Sequence, residues 1–367
     1  MIVNSHNEWD QLEEVIVGAG IPSELPAIEF SFKLFFHDNI YDKPFDGDIN
    51  AYITKQHIDE HNEDIENFAL LLHELGVNVR RPKIPDKIYK IKTPYWDSVV
   101  HPALNVRDQC MIIGNTIIET PPTCRWRYFE NDYIKHIFNE YMQQGARWIQ
   151  CPKPIMLDSS FDLSYVVEKN PESKTYYEQS RKHDDHYMNH GCEMMFDAAN
   201  AMRLGTHILL NVANENQRLG AQWLQNILGN EYKVLSSEIC DSHIDSSFLP
   251  LRPGLAIITR PEVKDVLPKE LQNWDLVYVP DRDRDPDDYK SQNVKLASTK
   301  IELNVFSVSP EVIICHPEFQ KILSDKLKKY NIEAIPSKMR HCEIFSGAHH
   351  CTTLDVRRKS KLENYID

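Results

Sequence analysis

The chain has 367 residues, 41% hydrophobic and 26% charged, the makeup of a globular protein able to bury a large core rather than of a disordered one. Its formal net charge of −14 argues against nucleic acid or an anionic membrane as partner, because both draw affinity from clustered Lys and Arg. No run approaches about 18 consecutive apolar residues, no basic-then-apolar leader opens the chain, and the eight cysteines include no C-x-x-C pair. The sequence therefore predicts a cytoplasmic protein with reduced thiols.

One pattern recurs five times along the chain, a helix followed at once by a short strand. The first predicted strand, 14–17, precedes a helix with Ile65, Phe68, Leu72 and Leu75 at helical spacing, then Gly76 and the strand Val77-Asn78-Val79. A hairpin over 110–119, turning at Gly114-Asn115, leads to a helix from about Phe129 to Tyr141 and a strand over 146–149. The hairpin 201–212 leads to a helix through Leu219, Trp223, Ile227 and Leu228 and the strand 232–235. The hairpin 248–259, around Pro253-Gly254, leads to a short helix at 269–274 and the strand 276–279. The hairpin 302–315, around Ser309-Pro310, leads to a helix through Phe319, Ile322, Leu323 and Leu327 and the strand 332–335. The tail strand, 351–357, is the partner missing from the first unit.

These units predict an α/β protein with 1–367 as a single domain, five hairpin-helix-strand units arranged about an axis in a closed ring that the C-terminal strand completes. The stretches 21–52, 83–102, 152–191 and 280–296 read as insertions, the last a mixed-charge loop of the kind that forms lids.

Chemistry concentrates in a few segments. The tail places Cys351 after His349-His350 and before Arg357-Arg358, and a cysteine so flanked can have its pKa lowered towards neutrality and attack as a thiolate. A buried structural cysteine is the plainer alternative. His243, two residues before Asp245, suits proton transfer; the alternative is a core histidine with a satisfied ring. Asp197 either orients an imidazole or caps the 198–203 segment, and the residues alone favour the cap. Asp108 has an ion pair with Arg107 or another arginine as its alternative. His183, His186 and His190 could share a helical face, but their surroundings are polar and read as solvated surface, so no metal is expected. With no P-loop, GxGxxG or GxSxG motif, no cofactor is expected either.

Five motifs carry a family resemblance in order: Asn7-Glu8-Trp9 through Val17-Gly18, Arg107-Asp108 with Ile113 to Glu119, Met195-Phe196-Asp197-Ala198-Ala199-Asn200, His243-Ile244-Asp245-Ser246-Ser247-Phe248, and the tail from Gly347 to Arg358. Together they resemble the arginine amidinotransferase family, whose members modify glycine, lysine or inosamine phosphates or take part in cyanobacterial toxin pathways. The resemblance implies this same ring as a five-bladed pseudo-symmetric α/β propeller of hairpin-helix-strand units closed by the C-terminal strand. It implies a ping-pong reaction in which Cys351 takes the amidino group of L-arginine, ornithine leaves, and an acceptor amine is amidinated. It also implies that His243 is the proton shuttle, Asp197 its orienting carboxylate, Asp108 and Asp245 the holders of the guanidinium, and Ser298 and Thr299 hydroxyls close to the donor. Arg357 and Arg358 match the family tail as structural residues.

Some positions depart from the pattern. His349 stands where glycine-using members carry an aromatic residue, and Ser346-Gly347 where they often have two or three glycines. Glu262 replaces an arginine used by some members, with Arg260 close enough to substitute, and Asn200 stands where aspartate is usual. These departures leave the acceptor open between glycine and another biosynthetic amine. The rival readings are a deiminase-like guanidino hydrolase and a non-catalytic guanidino-binding protein. The expected partners are small molecules, and a homodimer is the candidate assembly.

Overall fold

Short aliphatic runs form most of the strands, and the hairpin pair Cys110–Ile113 and Thr116–Glu119 is buried at every position. The computed structural model describes residues 1–21, 29–35, 53–169, 174, 187–240, 243–280 and 301–366. In chain order its strands are β1 (Leu12–Val17), β2 (Asn78–Arg80), β3 (Lys90–Lys92), β4 (Asp97–Val99), β5 (Cys110–Ile113), β6 (Thr116–Glu119), β7 (Arg147–Gln150), β8 (Ala201–Leu204) and β9 (His207–Asn211). There follow β10 (Lys233–Ser237), β11 (Phe248–Arg252), β12 (Leu255–Ile258), β13 (Asp275–Tyr278), β14 (Phe306–Ser309), β15 (Val312–Cys315), β16 (Glu333–Pro336) and β17 (Thr353–Arg358).

Among the described residues, five three-stranded sheets share one topology: β17-β1-β2, β5-β6-β7, β8-β9-β10, β11-β12-β13 and β14-β15-β16. In each, an antiparallel pair is extended by a parallel third strand. The parallel strand needs a crossover, and a helix supplies it. The fold is therefore α/β, with the predicted hairpins at their predicted places, and β17 does complete the first sheet by pairing with β1 from Leu12↔Arg358 to Val17↔Thr353. The pair β3/β4 lies within the predicted 83–102 insertion.

Each crossover helix turns an apolar face onto its own sheet. The Lys55–Glu74 helix starts at a Thr54–His57 capping box and buries Ile65, Phe68 and Leu72 with Val15, Val17 and Val77. The Lys135–Gln143 helix sets Ile137, Phe138 and Tyr141 against Ile112 and Ile117, and the Glu215–Leu228 helix sets Leu224 against Ile208 and Leu210. The Pro317–Leu327 helix packs Phe319 and Leu323 on Ile313 and Ala334. Full burial of such a side chain is worth about 1.5–3 kcal/mol, so these faces fix the units. The fourth crossover is slighter than predicted: a Val263–Val266 turn and a 3-10 turn over Lys269–Leu271, joined through Pro268, which lacks the N–H needed to continue a helix. No helix among the described residues is long and apolar enough to cross a membrane.

A buried ionic core ties the units together. Asp355, fully buried on β17, pairs with Arg107, Arg203 and Arg358. Arg203 also holds Glu8 through its backbone N–H at 3.0 Å and Nε at 2.7 Å. Burial works against the charge on Asp355, but its three arginines hold the carboxyl well below the usual range. Arg358 donates further to the Ser307 carbonyl at 2.9 Å, and Arg357 reaches Glu13 and the Ile2 carbonyl, both at 3.0 Å. Asp355→Asn should lower stability by about 3–5 kcal/mol, because it leaves buried guanidinium groups without their counter-charge. The check is a urea titration, with the variant expected to show a clearly lower midpoint at an unchanged slope.

Candidate active site

Cys351 sits in the turn just before β17, 1% exposed, and three contacts fix the backbone around it. Its N–H donates to Asn304 Oδ1 at 2.8 Å, its carbonyl accepts from the Arg107 N–H at 3.3 Å, and Arg107 Nε donates to the His350 carbonyl at 2.9 Å. The turn also requires glycine at 347. A Cβ there would lie 2.1 Å from Asn105 Oδ1, whose own amide nitrogen donates to the carbonyls of Phe345 and Ser346 at 3.2 and 3.0 Å.

Three other segments converge on this turn. The segment after β10 carries His243 and Asp245 into a 3-10 turn that starts β11, and Asn304 Nδ2 donates to the Asp245 carbonyl at 3.3 Å. Asp197 enters from the start of β8, where the Phe196 ring packs so closely on Gly220 that a Cβ would meet it at 2.2 Å. Asp108 precedes β5, and its carbonyl accepts from the Ala198 N–H at 2.7 Å.

The Asp197 carboxylate makes no helix-capping bond. It takes instead the Thr123 hydroxyl at 2.8 Å, the Thr123 N–H at 3.2 Å, Gln109 Nε2 at 3.1 Å and His243 Nε2 at 3.0 Å. The imidazole's other nitrogen, Nδ1, lies 3.7 Å from Asp108 Oδ1. Burial opposes a positive charge on His243, but the carboxylates of Asp108, Asp197 and Asp245 outweigh it and lift the imidazole to about 9. Burial likewise raises Asp197, yet the His243 hydrogen bond and the charges of His243 and Arg127 bring it below the ordinary carboxylate value.

Asp108 and Asp245 share one arrangement. Each spends one oxygen on hydrogen bonds within the protein and keeps the other buried without a hydrogen bond. Asp108 Oδ2 pairs with Arg127, not with its neighbour Arg107, while Oδ1 has no hydrogen-bond partner. Asp245 Oδ2 takes His350 Nδ1 at 2.8 Å and the Cys351 thiol at 3.3 Å, while Oδ1 has none. Burial raises Asp108 to about 6 against the pull of Arg127 and His243. Asp245 goes the other way: burial pushes it up, but the His350 hydrogen bond, with the charges of His350 and His243, brings it to about 2.

The thiol differs from its expectation. Burial pushes Cys351 up, and the carboxylates of Asp245 and Asp108 push it further, so it stands well above an ordinary thiol. The flanking residues expected to activate it are committed elsewhere. His349 is buried against the Ser337 carbonyl at 3.1 Å and held neutral by burial, at about 3. His350 serves Asp245, and Arg357 and Arg358 serve the strand and the ionic core. The sequence showed who stood next to the cysteine but not which way they faced.

Ser298, Thr299, His183, His186 and the predicted 280–296 lid, past residue 280, lie outside the described residues. Among the described residues no cluster of His, Cys, Asp or Glu could hold a metal ion. Sequence reasoning missed Arg127, Glu130, Thr123, Gln109, Asn304 and Asn105, most of which sit in turns without periodicity, and it gave His350 to the thiol where the structure gives it to Asp245.

The comparisons with known proteins follow this geometry. Inosamine-phosphate amidinotransferase 1 of Streptomyces glaucescens is 32% identical over 367 residues, a match spanning 99% of each chain. The chain belongs to the amidinotransferase family. L-arginine:L-lysine amidinotransferase of Pseudomonas savastanoi pv. phaseolicola is 31% identical across 99% of this chain and 96% of its own. Among solved structures, an amidinotransferase of the saxitoxin biosynthetic pathway from Microseira wollei superposes with a TM-score of 0.80 at 32% identity, over 100% of both chains. No sequence model of a protein family matches the chain.

In this amidinotransferase the ionisation of His243 can be measured directly. Its imidazole should titrate by NMR near pH 9, and Asp197→Asn should bring that value down. A raised histidine stabilises the fold fully below its ordinary value of about 6.5 and loses that contribution as pH rises through the folded value. The stability advantage of wild type over Asp197→Asn that passes through this imidazole should therefore shrink between about pH 6.5 and 9.

Proposed function

We propose that the chain is an L-arginine amidinotransferase that works through a covalent amidino-Cys351 intermediate, releasing ornithine and passing the amidino group to an acceptor amine. One observation carries this reading. Asp245 hydrogen-bonds the Cys351 thiol through one carboxylate oxygen and buries the other without a hydrogen bond, and Asp108, whose charge also acts on the thiol, buries an oxygen with no hydrogen bond 3.7 Å from His243 Nδ1. Buried anions of this kind demand a cation, and a planar guanidinium offers each carboxylate aligned N–H groups that an ammonium cannot.

In this mechanism the docked guanidinium places positive charge next to sulfur. The thiol then loses its proton to solvent, to be reprotonated from solvent once the product has left, and the thiolate attacks the guanidino carbon. His243, a cation at neutral pH, gives its proton to the departing ornithine nitrogen as the C–N bond breaks. The acceptor amine attacks the thiouronium, His243 takes the amine proton back, and the C–S bond pair returns to sulfur. Asp197 orients the imidazole and stabilises its charged form. Ser298 and Thr299 complete the donor site in this proposal. The whole chain acts as one catalytic unit, with its five sheets set around a pseudo-fivefold axis and small molecules as its partners.

Incubation with arginine should yield ornithine and a protein heavier by one amidino group, with the added mass on Cys351. Cys351→Ala should abolish both. Citrulline in place of ornithine would make the protein a hydrolase; a protein that binds arginine yet never gains the mass would be a non-catalytic guanidino binder.

The first half-reaction at low arginine should follow a bell-shaped pH profile. It should fall below about pH 6, as Asp108 takes up a proton and loses its attraction for the guanidinium, and above about pH 9, as His243 loses the proton it donates. Asp245→Asn should cut the loading rate by about 10²-fold or more, since the same carboxylate both binds and aims the carbon. Single-turnover loading across pH and arginine concentration measures all of this, and wild-type loading by Asp245→Asn would remove that residue from the donor site.

A further inference from the structure

A cleft opens on the His243 side of the site. Its described walls include three carboxamides, Asn200, Asn214 and Gln217, together with Phe35, Phe161 and Tyr165. The amide oxygens are all committed to the protein. Asn200 Oδ1 accepts from Asn211 Nδ2 at 3.1 Å, Asn214 Oδ1 from the Gln217 N–H at 3.0 Å, and Gln217 Oε1 from the Ala213 N–H at 2.7 Å. Two of these donors are backbone N–H groups, which can only donate, so neither Asn214 nor Gln217 can flip its amide without setting N–H against N–H. Their NH2 groups are therefore the ones left over. None of the three amide nitrogens has a hydrogen-bond acceptor among the described residues, and no Lys or Arg appears among the described residues lining the cleft.

We propose that this cleft holds the acceptor, and that the acceptor is an amine whose body is neutral and carries hydroxyl or carbonyl oxygens, not a carboxylate or phosphate. The proposal rests on the amidino-transfer reading and adds the substrate class. Hydroxyl and carbonyl oxygens accept from the fixed NH2 groups, while the rings cover an apolar face of the ligand. An anion in the same place would find His243 as its one cation among the described lining residues, already shared by the Asp108 and Asp197 carboxylates, with the Asp162 carboxylate also in the wall. The chemistry stays balanced. The uncharged amine gives its lone pair to the thiouronium carbon and one proton to His243; the C–S pair returns to Cys351, and the product leaves as a guanidinium cation.

The test uses enzyme loaded with arginine and scored for ornithine, then discharged by matched amines compared at equal free-base concentration: glycinamide against glycine, and ethanolamine against O-phosphoethanolamine. The neutral member of each pair should be guanidinylated at least tenfold faster. Equal or faster discharge by glycine and O-phosphoethanolamine would overturn the acceptor assignment while leaving the transferase reading standing; failure to form ornithine at all would overturn both.

Asn214→Asp and Gln217→Glu sharpen the test, because each keeps the oxygen that accepts a backbone N–H and replaces only the NH2 group. Aspartate caps a helix as well as asparagine, so the fold should persist. Each variant should raise the KM for the neutral acceptor by roughly tenfold, the scale of one lost ligand hydrogen bond, and slow discharge much more than loading. Equal slowing of both half-reactions would make these residues structural and overturn the assignment.

Discussion

Two carboxylates kept out of water with one oxygen each unanswered are the constraint around which the rest of the site is arranged. A buried acceptor without a partner costs about 1–3 kcal/mol, and more when charged. The protein limits that cost by answering the second oxygen of each: Arg127 on Asp108, itself braced by Glu130 at 2.7 and 3.0 Å, and His350 on Asp245. What remains is a deficit of positive charge of defined shape. Its persistence requires walls that do not relax around it, because a mobile site would swing an amide or a water into the gap.

The rigidity comes from interlocked turns. Arg107 bridges the Cys351 turn and the Asp355 core, Asn304 bridges the same turn and Asp245, and the Ala198 N–H bridges Asp108 and the Asp197 segment. Each clamp joins segments from different sheets, so the geometry around sulfur depends on several units at once. Such preorganisation lets the electrostatics of the site act without rearrangement when charge develops on the reacting atoms.

The fold was legible in the sequence because it repeats. Aliphatic runs ending at turn residues, followed by helical spacing such as Ile65, Phe68, Leu72, state their pairing locally; the second crossover, read from about Phe129, becomes α-helical only at Lys135, and the fourth, read over 269–274, is a 3-10 turn over Lys269–Leu271. The acidic and imidazole residues were found through motifs. Their environments were not, because a side chain's direction is decided by tertiary contacts. His349 and His350 look alike beside Cys351, yet one is a neutral ring against a carbonyl and the other an anchor for Asp245. Arg127 and Asn304 lie in turns where no periodicity marks them, and Asp197 looked like a helix cap because composition cannot distinguish a capping carboxylate from one answering an imidazole.

The pairing of β1 with β17 has a consequence for biosynthesis. β1 leaves the ribosome long before β17, the strand it needs on its open edge. Until that strand emerges, β1 has only the three-residue β2 beside it, and its other edge is free to pair with a neighbouring chain. The Cys351 turn directly precedes this late strand, so the thiol and the edge partner of β1 are made together. Until β17 is made, Asp355 is also missing and Arg107 and Arg203 lack the buried carboxylate they share.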